Sequence, residues 1–192
     1  MDTFQILISI FLGIGLSAAV GFRVFLPLLA LSLAGHFDFI PLNDNWEWVG
    51  SIVAVIVMAI ATLIEILGYY IPWVDNMLDT IAIPLATVAG TMVMVATMAD
   101  LDPVVTWALA IIAGGGTAAA VKGSASALRL TSSATTGGLA NPLVATVETG
   151  GATVMSISAI FIPILAFLFV LIILIFLVKF FKKLRKKSRP PT

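Results

Sequence analysis

Three cations stand outside the last fourteen residues of this chain, Arg23, Lys122 and Arg129, and each lies in or beside a long apolar run. A charge inside a bilayer costs on the order of 3 kcal/mol or more unless it is paired or hydrated, so such side chains face a polar interior. Glu65 has the same predicament, with four to six apolar residues on either side of it. Lys122 and Arg129 are seven residues apart, two helical turns, and so share one face. Two kinds of chemistry fit. The charges could form structural ion pairs, Glu65 with Arg23 for instance, that clamp a helix bundle. They could instead line a polar path or a site for an ion or small charged solute.

Other polar residues extend the set. Asp75 and Asp79 are four apart and share a face if the connector IPWVDNMLDT is helical, with Pro72 suited to its first turn. Two such carboxylates could bind a cation or relay protons, or simply form a solvated interfacial face. The stretch TSSATTGGLANP is rich in hydroxyls, and its paired glycines and Pro142 disfavour a regular helix. Irregular backbone at membrane depth is tolerated only against protein or a wet cavity. Its hydroxyls and carbonyls could coordinate a cation. A helix starting at Asn141-Pro142 with Asn141 as its cap could hold an anion, or the stretch is an ordinary loop. Glu148 lies just inside that helix.

These residues need elements to position them. Hydrophobic residues make up 60% of the chain, charged ones 10%, and the mean hydropathy is +1.15, which marks an all-α integral membrane protein. With 192 residues and about 20 per span, five or six crossings fill it. There is no cysteine, which excludes disulfides and thiolate chemistry, and the single His36 cannot build a histidine-rich metal centre. No metal, cofactor or nucleic acid is expected. No phosphate-binding loop or nucleophile elbow is present, so the protein is not read as an enzyme. Cations beside a Gly-rich break would nonetheless suit a lipid phosphate.

Five spans are expected. The first, Phe4 to Ala34, would be about 46 Å long as one helix and must tilt or break, with Gly21 and Pro27 as break points. Its start, MDTFQIL, has no basic region and reads as a retained membrane segment. The second is Trp48–Tyr70, framed by Trp46, Trp48, Tyr69, Tyr70 and Trp73 as in interfacial aromatic belts. The third covers Ile81 to Ala99, the fourth Val104 to Leu130, and the fifth Gly151 to Val178, kinked at Pro163. Small-residue runs at Gly13–Ala19 and Gly114–Ala120 suit close helix approach, within the bundle or at a homodimer seam.

The chain also repeats itself. Pro41-Leu42-x4-Glu47-x2-Gly50 recurs as Pro142-Leu143-x4-Glu148-x2-Gly151, and the same 101-residue offset aligns GIGLSAAV with GGGTAAAV. From Gly13 to Leu67 there are 14 identities in 55 gapless pairs, against roughly five by chance. Residues 1–178 are therefore read as one transmembrane domain, with repeats at 1–99 and 102–178. Three crossings between equivalent spans would invert the halves; hairpins in the first and fourth spans would change the count and could make them parallel. Inverted halves are the expectation, with Glu47 and Glu148 as symmetry-related ligands or helix-start acids.

Seven of the ten Lys and Arg lie in residues 179–192, a basic tail that fixes a cytoplasmic C-terminus. It could also bind anionic lipid.

The pattern Glu65…Ile71-Pro72-x-Val74-Asp75-x3-Asp79…Pro84, then Lys122…Arg129…Asn141-Pro142…Glu148, resembles a bacterial inner-membrane family catalogued as a domain of unknown function. The resemblance covers roughly residues 10–178 and implies a membrane fold with these residues as its polar signature. The functional expectation is a small transporter or channel with a polar mid-membrane site where the repeats meet. The alternative is a membrane scaffold or lipid-binding subunit whose buried charges hold helices together.

Overall fold

The computed structural model describes residues 3–98 and 101–187; Ala99, Asp100 and the end of the basic tail, with Arg189, lie outside them. The described chain is 88% helical and has no strand. Its helices are α1 (Thr3–Phe22), α2 (Phe25–His36), α3 (Ile52–Gly68), α4 (Pro72–Thr97), α5 (Pro103–Leu109), α6 (Gly116–Thr136), α7 (Asn141–Phe161) and α8 (Pro163–Lys187), with a 3-10 turn at Asp44–Gly50. A π-helical turn, Ala110–Gly115, joins α5 to α6 without a break. Among the described residues four helices are long and apolar enough to cross a membrane. The turn Asp44–Gly50 and α3, meeting at a 63° bend, make a fifth if they are one span. The lipid-facing side is plain on α3, where Ile52, Val53, Ile56, Val57, Ile60 and Leu63 are all exposed.

The first apolar segment breaks, as its length requires, at Arg23-Val24 between the two expected break points. Pro27 sits in the first turn of α2, where a missing N–H costs nothing. At this break the chain reverses. α1 starts beside Asn43, Thr97 and Met98, and α2 leads back to that end, where the Asn43 N–H donates to the Ala96 carbonyl at 2.9 Å. The two helices form a hairpin with Arg23 at its tip.

That hairpin decides how the repeats relate. Gly13 of α1 lies against Thr97 and Met94, and the Ser17 hydroxyl donates to Gly90 O at 2.9 Å, so α1 descends α4 as it advances. The repeat-equivalent stretch does the same, from Gly114 against Met94 and Gly90, through Gly115 against Thr87, to Gly123 beside Ile83. Both copies run antiparallel to α4, and therefore parallel to each other. The inverted arrangement rested on three crossings, and the extra pass made by α2 removes it. α8 runs alongside α1, with Phe11 stacked on Phe167 at 4.4 Å and Val170 packed with Ala18, so α8 finishes at the opposite end of the bundle from where α1 begins.

Two further expectations change. The connector IPWVDNMLDT is the start of α4 itself, with Pro72 in its first turn. In the stretch TSSATTGGLANP, residues 131–136 continue α6, the hydroxyls of Thr131, Thr135 and Thr136 donating to carbonyls three or four residues back, as at Thr136 to Ser132 O (2.7 Å). The helix stops at Gly137 and Gly138, whose φ values of 62° and 87° only glycine adopts freely. The stretch is largely exposed.

Candidate functional site

Five elements bring the charges together. Arg23 arrives on the hairpin tip, Glu65 and Tyr69 at the end of α3, Asp75 and Asp79 in the first turns of α4, Lys122 and Arg129 on α6, and Asn141 and Glu148 on α7. Asp79, seven residues into α4, lies about 10 Å along a helix of about 39 Å. The cluster is therefore nearer the C-terminal end of the bundle than the mid-membrane position expected. Arg23 and Lys122 are 0% exposed, and Arg129, Glu65, Asp75 and Glu148 are buried with them.

Tyr69 is the hub. The Arg23 and Arg129 guanidinium carbons lie 4.0 and 4.2 Å from its ring centroid, and the Lys122 ammonium lies 5.2 Å away. Its hydroxyl accepts from Lys122 Nζ at 3.2 Å. A desolvated cation over an aromatic face gains up to about 2 kcal/mol, which lets one ring hold three like charges in a small volume. Arg129 is fully engaged. Its Nη1 donates to Asp75, and its Nε and Nη2 make a forked pair with the Glu148 carboxylate, the Nε bond being 2.9 Å. Asn141 donates to Asp75 Oδ2 at 3.2 Å and to Ser133 at 3.1 Å, closing that side of the network. It does not cap α7, as its side chain is committed to Asp75 and Ser133.

Arg23 and Glu65 do not pair as expected. Glu65 instead accepts from the backbone N–H groups of Val24 (2.8 Å) and Phe25 (3.0 Å), so its carboxylate sits on the start of α2. Arg23 donates to Ala145 O at 2.8 Å and Thr149 Oγ1 at 3.1 Å, with Glu148 4.0 Å away. Its Nη1 has no partner. Among the described residues Lys122 has no carboxylate within 4.0 Å. Asp79 Oδ1 is buried and unpartnered, so Asp75 and Asp79 share a helix face without sharing a role. No group of three metal-ligating side chains occurs among the described residues.

The eight residues singled out in the sequence meet in one cluster. Glu47 does not join its repeat mate Glu148: it is exposed in the 3-10 turn at the far end of the bundle, so the two form no ligand pair. Tyr69 was missed. Its aromatic character and its place beside Tyr70 and Trp73 read as an interfacial belt. The available signal was its spacing, four residues after Glu65 and therefore on the same helical face.

Fold and site together define a multi-pass helical membrane protein with a buried charge cluster. Residues 10–183 match the family described as Domain of unknown function (DUF4126), and the chain belongs to it. No curated protein and no solved structure matches the chain.

Proposed function

We propose that the protein is a small transporter or channel for a charged solute, with the Arg23–Tyr69–Lys122 side of the cluster as its site. The observation that carries this reading is unused hydrogen-bonding capacity in a fully buried place: the orphan Nη1 of Arg23 and a Lys122 ammonium that donates to a phenol and meets no carboxylate among the described residues. A network built only to hold helices would use those donors, because a buried charge without partners is destabilising. Ligand sites keep them for the ligand. By the positive-inside rule the basic end of α8 is cytoplasmic, which puts the cluster nearer the cytoplasmic face of a bacterial inner membrane.

The competing reading is a scaffold held by structural ion pairs, and it is favoured by the complete engagement of Arg129 with Asp75 and Glu148. Lys122→Met and Glu148→Gln, reconstituted in vesicles and assayed with panels of small anions and cations, separate the two. Folded variants without flux support transport. Wild-type vesicles that pass no member of either panel sink it.

A further inference from the structure

We infer that Glu65 is a resident plug in an anion site at the start of α2, and that the solute of the proposed transport reading, on which this rests, is a small monovalent anion. α2 is a twelve-residue helix that begins inside the protein, at the tip of the hairpin. The start of a helix carries partial positive charge and free N–H groups, and broken membrane helices present such ends to anionic groups. In this protein the amides of Val24 and Phe25 already hold an anion, the Glu65 carboxylate, through one oxygen each.

Three observations mark that carboxylate as displaceable. Arg23, immediately before these amides and 0% exposed, keeps an unpartnered Nη1. Beside the carboxylate lies a cavity of about 220 Å³ lined by Val24, Phe25, Glu65, Tyr69, Leu78 and Leu85, which gives the side chain room to withdraw. Lys122, a buried ammonium with no carboxylate of its own among the described residues, supplies a counter-charge for a displaced Glu65. With Glu65 withdrawn, the groups that held it are the N–H donors of Val24 and Phe25, which suit an anion and not a cation, and the three membrane cations surround the adjoining Tyr69 ring.

Removing the plug should expose the site. Thermal unfolding of purified Glu65→Ala is compared in sodium gluconate, whose anion is too large to enter, and in sodium chloride or formate at the same ionic strength. The variant should melt below wild type in gluconate and regain roughly 5 °C or more, saturably, in chloride or formate, while wild type responds much less because Glu65 competes. Equal melting in all three salts overturns the proposal. If Glu65→Ala does not fold, Glu65→Gln serves: its single amide oxygen satisfies the two N–H groups poorly, and its stability must also rise with chloride or formate or the proposal fails. Vesicle flux is scored separately. Anion stabilisation without anion flux leaves the site standing and sinks transport, and flux without stabilisation sinks the site.

Discussion

Tyr69 places two cations in comparable positions and gives them opposite energetics. Arg129 neutralises Asp75 and Glu148 at once, so Arg129→Met strips two buried carboxylates of their main partner and should cost about 3–5 kcal/mol of stability. Lys122 neutralises no carboxylate directly, and an apolar side chain of similar length removes a desolvated charge. Lys122→Met should therefore be neutral or raise the melting temperature. Thermal unfolding of the two variants in one detergent checks this. Equal losses would show that Lys122 is a structural partner after all. The same reasoning separates what was readable at this scale. The cost of charge in an apolar run pointed to Arg23, Glu65, Lys122 and Arg129 without any structure. Which carboxylate meets which cation was not readable, because partners such as Asp75 and Arg129 lie 54 residues apart.

At the scale of elements, the cluster exists because small residues let α1, α4 and α6 close on one another. A Cβ added at Gly21 would sit 2.5 Å from Val121 Cβ and 2.8 Å from Ala118 O, so neither helix could keep its place. Gly21→Ala should cost about 1–3 kcal/mol through overpacking. Gly116, in the same run of small residues, has nothing within 4 Å of an added Cβ. Gly116→Ala should be tolerated, or stabilise by up to about 1 kcal/mol through helix propensity. Chemical unfolding of both variants tests the pair, and similar losses would mean that α6 does not face α1 through Gly21 and Val121. Gly116 was legible as part of a close-approach run, whereas Gly21 read as a break point. Their individual weights were not legible, since Gly21 and Gly116 differ only in what the other helices bring to them.

For the whole molecule the hairpin fixes which loops share a side. The loop at Asp44 lies at the end where α1 begins, and Leu139, 88% exposed, lies at the end where α8 finishes. Single cysteines at these two positions, in a chain that has none of its own, should react with an impermeant thiol reagent from opposite faces of sealed vesicles. Reaction of both from one face would overturn the opposed directions of α1 and α2. The parallel sense of the repeat-equivalent stretches also bears on how the molecule could work. Gly13 and Gly114 both seat on Met94, so α4 is a shared spine and the site forms at the tip of the first repeat's hairpin.

Membrane insertion, all-helical character and the identity of the polar residues followed from the sequence by itself, because they depend on the cost of moving groups out of water, which is incurred residue by residue. The break in the first span was equally local, a matter of a 31-residue, largely apolar segment against a fixed hydrocarbon thickness. Its consequence was not. Whether the chain continued or reversed at Arg23-Val24 depended on what received the freed amides, and Glu65, some 40 residues away, is what receives them. The choice of Tyr69 as the hub, the separation of Glu47 from Glu148 and the surplus donors on Arg23 and Lys122 were likewise settled by tertiary packing, since each depends on distances between helices that no spacing along the chain encodes.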